Sequence, residues 1–574
     1  MKTFAILALG LFLVPKFPAT AQIPVLKRSD VVFMYQASRQ TYQDYGATVL
    51  AWGGKPTAKS LEEAKDLKFF GSVGMVTEFS RYYERFPQTY EQGLCRDVQG
   101  QPFKVPWLTD HQHKGVPYWW CCTRQPLFRQ YLSERVADTV KAGAAGVHID
   151  DHLGTAGGIW QGGCFCDRCV EEFHDDLKSL PQDELARHSI RDPGNFNYRD
   201  AVRDWLKEKP DRKLQQHPLW SQWRIYQLQG AAKFMEELRA LAAKTASRPV
   251  PMGANACLLW GPHLSDYKSV DLFSAEIPHH AEARRFSDDP LVAYRLADAV
   301  GRPLASTASG GDWAFIKEQN LPGLVQGWIA LGYAAGHCLM APHRQWCYTP
   351  QKGTHWYDGP KDKFAPLFQF VRRNAALFDD YRNHADLTVA FSQRTFDRDA
   401  GKVIGLCNKL AAANISYRLA LGGNEVVDHP LPAEDVRQAG RLLVVEPQDF
   451  SPADQQVLAT AKPGQRFENA GQALTNVPPA VRVEMEGAVR VLPRVKPGSA
   501  VIHLVNWSYD AARDGVPPIK NVQLKLNLQT LGVAGTTQAR LFAPGVQPAA
   551  LPIEEATVTV PELGLWSVLE LRSQ

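Results

Sequence analysis

The chain has 574 residues, of which 64 are Lys or Arg and 60 are Asp or Glu, so its net charge is +4. This near balance of charge offers no electrostatic basis for a nucleic-acid partner. The length exceeds what a single hydrophobic core can serve, and it indicates two to four domains.

The N-terminus has the pattern of a secretory signal peptide. Lys2 precedes an apolar run over residues 4–14, and Ala19-Thr20-Ala21 forms an A-x-A cleavage site before Gln22. A basic start, a short apolar core and small residues at the cleavage point are typical of such peptides. We therefore expect residues 1–21 to be removed and the mature protein to be exported to the periplasm or out of the cell. A retained N-terminal anchor is the alternative, and no later segment predicts a membrane span.

Residues 22–382 alternate short apolar runs with helix-like segments. The runs are continuously apolar, as in strands that are buried on both faces. Eight such runs with interleaved helices predict an α/β fold, a (β/α)₈ TIM barrel, and a doubly wound open sheet is the alternative. Two long insertions, 80–120 and 152–215, follow the third and fourth strands. The eight predicted strands are 31–35, 48–52, 72–78, 146–150, 250–254, 270–275, 303–307 and 338–341.

The pattern changes after residue 382. Residues 383–478 contain strand-like runs separated by helical segments, which predicts a small α/β domain. Residues 479–574 contain strands and turns without helices, which predicts a C-terminal β-sandwich. The strand-like runs of the first region are 387–392, 417–420 and 441–446, and those of the second are 501–506, 522–526, 538–542, 556–560 and 567–571.

Carboxylates at strand ends are the candidates for catalysis. The fourth strand ends in Asp150 and Asp151, and catalytic groups of TIM barrels come from the C-terminal ends of strands. Breaking a glycosidic bond usually requires a second carboxyl group. Glu276 at the sixth strand is the leading partner, followed by Glu78 at the third and Asp312 after the seventh. The structural alternatives are an acidic loop cap for the pair and ion pairs for the others.

Polar and aromatic residues are predicted to line the same rim of the barrel. Such side chains suit the recognition of sugar hydroxyls and stacking against a sugar ring. The alternating residues His148, Asp150 and His152 could instead share one face and ligate a divalent metal ion. The predicted substrate-binding residues are Tyr35, Glu78, Trp119, His148, His152, His279, His343 and Trp346.

Three cysteines stand as C-x-C-x-x-C at Cys164, Cys166 and Cys169. A fourth ligand would complete a tetrahedral zinc site that staples the long loop after the fourth strand. Cys122 or its neighbour Cys121 is the obvious fourth ligand, and His174 is a weaker option. Disulfide pairing in an oxidising compartment is the alternative.

This cysteine segment resembles that of barrel glycoside hydrolases related to the family 42 β-galactosidases. The resemblance rests on Trp120-Cys-Cys-Thr-Arg-Gln-Pro126, on Gly146-Val-His-Ile-Asp-Asp151 and on the C-x-C-x-x-C motif. It implies a barrel, a flavodoxin-like α/β domain often used in trimerisation, and a small β domain. It therefore points to a homo-oligomer formed through the α/β domain and to a structural zinc, with no organic cofactor expected. The implied zinc ligands are Cys122, Cys164, Cys166 and Cys169.

The catalytic residues of that family do not carry over. Its members use Asn-Glu at the fourth strand and Glu at the seventh, whereas this chain has Asp150-Asp151 and Ser306-Thr-Ala-Ser-Gly310. An acid on strand four with another on strand six is similar to α-galactosidase-type barrels. We therefore expect a retaining glycoside hydrolase that acts on an oligo- or polysaccharide through Asp150 or Asp151 and Glu276. The alternatives are a non-catalytic carbohydrate-binding barrel and a metal-dependent hydrolase or lyase.

Overall fold

The computed structural model describes residues 25–573 except positions 189, 191, 194, 195, 210, 463, 468, 485 and 486. The predicted signal peptide, residues 1–21, lies outside the described residues. None of the helices in the described part of the chain combines the length and the apolar character that a bilayer crossing requires.

Eight parallel strands form a barrel in chain order. A parallel bridge from Phe33 to Ala341 joins the first strand to the last, so the sheet closes and is not an open doubly wound sheet. The predicted TIM barrel is therefore confirmed. The strands, named β1 to β8 here, are Val32–Phe33, Val49–Leu50, Lys68–Gly74, Gly146–Asp150, Met252–Ala254, Leu272–Ile277, Leu304–Ala308 and Cys338–Leu339.

Helices cover the outside of the barrel, and their starts follow ordinary capping rules. Pro126 and Pro322 each stand at the first helical position, where the missing N–H of proline costs nothing. Thr57 and Ser309 each form a capping box with the residue three positions on. The barrel helices are Arg39–Tyr45, Ala58–Glu63, Phe79–Arg85, Pro126–Lys141, Trp220–Ala246, Asp289–Ala299, Gly310–Gln319, Pro322–Ala334 and Lys361–Arg373.

Three long connections rise from the C-terminal ends of the strands, where barrel active sites form. The connection after β3 holds a small hairpin, and the one after β4 holds three helices. The connection after β8 is a two-stranded antiparallel hairpin. Their elements are Gln112–His113, Val116–Pro117, Asp167–Leu177, Gln182–Arg187, Tyr198–Glu208, Arg344–Thr349 and Gly353–Asp358.

The α/β region after the barrel is a four-stranded parallel sheet in which the first strand in the chain lies between the second and the third. This order is that of a doubly wound sheet with helices on its faces. Its strands are Leu387–Ser392, Tyr417–Gly422, Leu442–Val444 and Arg466–Phe467. Its helices are Gln393–Arg398, Ala400–Ala412, Ala433–Arg437, Pro452–Leu458 and Ala470–Asn476.

The C-terminal region is a sandwich of a six-stranded and a three-stranded antiparallel sheet. The edge strand of the larger sheet is Arg382–Asn383, which precedes the α/β region in the chain and pairs with Val489–Lys496. The other strands of that sheet are Ser499–Asn506, Gln538–Ala543, Val546–Pro552 and Trp566–Arg572. The smaller sheet contains Val481–Val483, Ile519–Leu526 and Thr557–Leu563.

The third barrel strand begins and ends four residues earlier than its sequence pattern predicts, at Lys68 and Gly74. Glu78 therefore is not at a strand end but immediately precedes the helix Phe79–Arg85. Its carboxylate is buried and accepts hydrogen bonds from Tyr131 (2.5 Å) and from Nε of Arg135 (2.9 Å). Both partners lie on the outer helix Pro126–Lys141, so Glu78 fastens that helix to the barrel.

Replacement of this buried acid tests its structural role. We expect Glu78→Gln to lower the stability of the barrel by about 3 kcal/mol, because Arg135 would keep a buried charge without a counterion. The lowered unfolding midpoint would be measured by scanning calorimetry. Glu62→Gln is the matched control, because Glu62 pairs with Lys65 on the surface, and exposed pairs contribute little. Equal midpoints for the two variants would contradict the assignment.

Candidate active site

Three carboxyl groups come together at the C-terminal ends of β4 and β6. Asp150 ends β4, Asp151 follows it, and Glu276 is the last residue but one of β6. The strand between them, β5, is followed directly by Asn255. Its Nδ2 donates to Oδ1 of Asp150 (3.1 Å), and its Oδ1 accepts the backbone N–H of Glu276 (3.2 Å). One amide thereby links the two predicted catalytic acids.

Asp150 and Asp151 have different backbone environments. Asp150 is in the extended strand, whereas Asp151 has φ of 50°, in the left-handed region that non-glycine residues seldom adopt. The chain turns at Asp151, and its backbone N–H donates back to Oδ1 of Asp150 (3.0 Å). Asp150 thus accepts two hydrogen bonds on one oxygen, from this N–H and from Asn255, which fixes its orientation.

Burial raises the pKa values of all three acids, and charge repulsion adds to the rise at Glu276 and Asp151. Burial, reinforced by the charge of Asp150, raises the pKa of Glu276 to about 8. Burial also raises the pKa of Asp150, against the opposing effect of its hydrogen bonds from Asn255 and Asp151. For Asp151, burial and then the charges of Asp150 and Glu276 hold the pKa well above its usual range. At neutral pH Glu276 is therefore protonated, as a proton donor must be.

Tyr35, two residues after β1, lies near these acids and contacts aromatic rings that follow β2 and that belong to the hairpin after β8. Burial, followed by the charges of Glu276 and Asp150, raises the pKa of Tyr35 well above its usual range, which indicates that Tyr35 is close to both acids. Its ring makes edge contacts with Trp52 (6.1 Å between centroids) and Trp356 (5.2 Å). The guanidinium of Arg344 lies over the ring of Trp356, with Cζ 4.6 Å from the ring centroid.

His148 and His152 do not form a metal-binding face with Asp150. His148 is fully buried, where Nδ1 hydrogen-bonds with Oγ of Ser274 (2.7 Å) and the ring stacks on Trp52 (4.5 Å). His152 is also fully buried, and both of its ring nitrogens have hydrogen-bond partners in the protein. Among the described residues, the only group of three or more potential ligands that meets at one point is made of cysteines.

Two of the other candidates lie behind the rim. His279 is buried with its ring 4.5 Å from that of Trp328, on an outer helix. Asp312 accepts the backbone N–H groups of His279 (2.9 Å) and Ala281 (2.7 Å) and also caps its own helix. The carboxylate of Asp312 is therefore occupied by backbone donors and is not free to act as an acid.

The remaining rim candidates are placed by packing. The His343 ring packs on Phe33 at 4.6 Å, and burial lowers its pKa to about 4. Trp346 lies in the hairpin after β8, where it stacks on Tyr348 at 5.7 Å. Trp119 is half-buried in the connection after β3 and forms a backbone bridge with Lys104. The structure gives none of these three a contact with the carboxyl groups.

Sequence reasoning missed three residues at the centre of the site. Asn255 directly follows the apolar strand β5, so the rule that selected Asp150 applies to it equally. One residue separates Trp52 from the end of β2, so the same rule would also have selected Trp52. Trp356 had no such signal, because nothing in the sequence predicts the hairpin that returns it towards Tyr35.

The predicted cysteine group is assembled from three cysteines of the connection after β4 and from Cys122, which precedes the helix Pro126–Lys141. The thiols of Cys122, Cys164, Cys166 and Cys169 lie within 4.8 Å of one another, and all four residues are buried. Two of the sulfur separations, from Cys122 to Cys169 and to Cys166, are 3.6 and 3.9 Å. Four sulfurs at 2.3 Å from a zinc ion in tetrahedral geometry stand about 3.8 Å apart. This set of donors therefore fits a structural metal ion.

Two further cysteines border the group and differ in their contacts. Cys95 is a buried cysteine that sequence reasoning did not select, and its thiol hydrogen-bonds with those of Cys122 and Cys164. Cys121 is adjacent to Cys122, but its thiol faces the carbonyl of Trp119 (3.7 Å). Of the two neighbouring cysteines, only Cys122 therefore belongs to the group, as the sequence resemblance implies.

No protein-family model matches the chain. Two α-agarases are similar in sequence. The α-agarase of Thalassotalea agarivorans is 23% identical over 96% of this chain and 40% of its own length. That of Alteromonas agarilytica is 21% identical over 95% of this chain and 41% of its own length. The chain thus spans about two fifths of these curated relatives.

Solved structures share the fold over nearly the whole chain. An α-L-fucosidase from Paenibacillus thiaminolyticus has a TM-score of 0.61 at 13% identity and covers 96% of this chain and 100% of its own. A β-galactosidase from Bacillus circulans sp. alkalophilus has a TM-score of 0.62 at 12% identity, with coverages of 95% and 99%. A GH42 β-galactosidase from G. stearothermophilus has a TM-score of 0.55 at 10% identity and covers 94% and 98%. The chain therefore has the fold of the barrel glycoside hydrolases related to the family 42 β-galactosidases.

Proposed function

We propose that this protein is a glycoside hydrolase in which Glu276 is the general acid and Asp150 the nucleophile. The observation that carries the proposal is the Asn255 bridge, which holds one carboxylate as a hydrogen-bond acceptor beside a second carboxyl group that is protonated at neutral pH. Two acids with different protonation states at one site are what glycosidic cleavage requires.

The proposed reaction has two steps. The carboxylate of Asp150 attacks the anomeric carbon while Glu276 gives its proton to the departing sugar oxygen, so the glycosidic bond breaks and a glycosyl ester forms. The ionised Glu276 then takes a proton from water, whose oxygen attacks the same carbon and releases Asp150. Each step inverts the anomeric centre, so the overall reaction retains its configuration. The burial of both acids keeps Glu276 protonated until the leaving oxygen needs its proton.

A polysaccharide is the proposed substrate, and agarose is the first to test because the curated relatives are α-agarases. The ring of Tyr35 near the acids, with the rings of Trp52 and Trp356 in contact with it, suits the apolar face of a sugar. A polymer of this kind is degraded outside the cell, which agrees with the signal peptide that the sequence predicts. A homo-oligomer through the α/β region stays a prediction.

Replacement of the two acids tests the assignment. We expect Asp150→Asn and Glu276→Gln each to lower kcat by a factor of about 10² to 10⁴, because each removes a group that acts in the transition state. Turnover would be measured on agarose and on a panel of aryl glycosides. Glu282→Gln is the control, since Glu282 is an exposed acid in the connection that follows Glu276. Glycan binding without turnover in the unaltered protein would favour the non-catalytic alternative.

The raised pKa of Glu276 predicts the alkaline side of the pH profile. Below a pH of about 8 the carboxyl keeps its proton and can donate it, and above that value the active form is lost. We expect kcat/KM to fall as the pH rises through about 8. An aryl glycoside with an acidic phenol needs no proton donor, so on that substrate the alkaline decline should disappear in Glu276→Gln. If the alkaline decline persists in this variant, the group that titrates is not Glu276.

We further propose that the cysteine group holds one zinc ion with a structural role. The four thiolates would enclose the ion completely, so it would have no open position for a substrate. The ion would tie the connection after β4 to the segment that precedes the helix Pro126–Lys141. The buried aromatic rings of Phe165, Phe173 and Trp223 pack next to the group and exclude water from it.

Metal analysis of purified protein tests the zinc. We expect about one zinc per chain, its loss in Cys164→Ser, and lower thermal stability in that variant, because structural zinc contributes directly to folding. Cys121→Ser is the matched control, since it removes an adjacent buried thiol that faces a backbone carbonyl. Disulfide bonds within the group, detected by mass spectrometry of the unreduced protein, would overturn the proposal.

A further inference from the structure

A buried chain of hydrogen bonds leads from the catalytic end of β4 towards the surface. His152 comes directly after Asp151, and its Nδ1 is 2.7 Å from Oδ2 of Asp266. Its Nε2 is 3.1 Å from Nδ1 of His263. Asp266 and His152 are almost completely buried, whereas His263 is half-buried. The proposed hydrolysis uses none of these three side chains.

These hydrogen bonds determine whether the free ring nitrogen of His263 is a donor or an acceptor towards a ligand. The buried Asp266 carboxylate accepts a hydrogen bond from Nδ1–H of His152, so Nε2 of His152 keeps its lone pair and accepts a hydrogen bond from Nδ1–H of His263. The remaining nitrogen of His263, Nε2, is then an acceptor. Burial, together with the neighbouring His152, holds the pKa of His263 well below its usual range, so the ring stays neutral and the acceptor is retained. A neutral acceptor at the surface suits a hydroxyl group.

An exposed tryptophan adjoins this histidine. Trp260 is 61% exposed, the highest value of any tryptophan in the described part of the chain, and its ring centroid lies 5.7 Å from that of His263. A single exposed apolar residue is common on protein surfaces. Here the exposed ring lies beside a neutral hydrogen-bond acceptor, and an aromatic face next to a polar group is the combination that binds a sugar ring.

The segment that carries both rings is held in place. The backbone N–H of His263 donates to the Trp260 carbonyl at 3.0 Å, within a tight turn. Gln393, at the start of the first helix of the α/β region, donates from Nε2 to the carbonyl of Gly261 at 3.0 Å. Asp397 on the same helix lies so close to Gly261 that a side chain there would collide with it. The α/β region thus fixes this segment, so little conformational entropy would be lost on binding.

We propose that Trp260 and His263 form an accessory sugar subsite, in which a pyranose ring of a polysaccharide stacks on the indole and a ring hydroxyl donates to Nε2 of His263. The inference rests on the proposed function and adds to it that the enzyme holds a chain of several sugar units. The occupant follows from position: the segment that carries both rings comes after β5, so it lies at the C-terminal ends of the strands with the proposed catalytic acids, and ring contacts of 5.1 and 5.7 Å join His152, His263 and Trp260. An amphipathic sugar ring uses both the aromatic face and the neutral acceptor, whereas a protein segment would need only the former.

The subsite is tested by binding and by kinetics. Trp260→Ala in a Glu276→Gln background would be compared with that background alone by affinity electrophoresis in gels containing agarose, where the polysaccharide stays intact. We expect the dissociation constant to rise about tenfold, as the loss of one stacking contact with its buried area predicts. With Glu276 present, Trp260→Ala should raise KM for agarose by a similar factor and leave kcat on a short aryl glycoside unchanged.

Controls separate stacking from general effects of the substitution. Trp260→Phe keeps an aromatic face and should retain most of the affinity. Val546→Ala removes an exposed apolar side chain from the C-terminal sandwich and should leave affinity unchanged. Equal affinity and KM in Trp260→Ala, with turnover preserved, would overturn the subsite but not the glycosidase. A changed molecular mass in solution with unchanged affinity would instead assign Trp260 to an interface between copies, and absence of both binding and turnover in the unaltered protein would reject both proposals.

Discussion

The burial of carboxyl groups at the ends of two barrel strands is the constraint on which the rest of the site depends. Removing an acid from water favours its neutral form, and each neighbouring acid adds repulsion. The barrel holds Asp150 and Glu276 together at this cost because parallel strands fix their positions, and Asn255 donates to the carboxylate of Asp150 and accepts the backbone N–H of Glu276. Burial raises the pKa of both acids, but the hydrogen bonds to Asp150 oppose that rise, whereas the charge of Asp150 adds to it at Glu276. The placement of these acids and their desolvation are thus one feature of the fold.

Features that depend on local chain pattern could be predicted from the sequence. Strands buried on both faces form continuous apolar runs, so seven of the eight barrel strands were found near their positions, and Asp150 and Glu276 were selected because both end such runs. The third strand was displaced because Met75 and Val76 extend its apolar pattern past Gly74, although the chain already turns there towards a helix. That displacement is what made Glu78 look like a residue of the catalytic rim.

Features that depend on contacts between distant segments could not be predicted in this way. His152 looks like a site residue beside Asp151, but the bonds that occupy it come from Asp266, more than a hundred positions later. Asp312 looks like an exposed acid until the backbone of residues 279–281 folds against it. A short motif gives the chemistry that a residue is able to perform. Whether its lone pairs are free is decided by the tertiary structure.

The edge strand Arg382–Asn383 has a consequence for the architecture of the whole chain. It belongs to the sheet of the C-terminal sandwich, yet it comes before the α/β region, so the polypeptide enters the sandwich, leaves it at Asn383 and returns to the same sheet at Val489. In topological terms the α/β region is an insertion within the sandwich, and it is not a separate domain that simply connects the barrel to the sandwich. Dividing the chain after residue 382, to separate the barrel from the rest, would therefore cut this edge strand in two. The α/β region could instead be replaced by another domain at its two junctions with the sandwich, which flank the insertion.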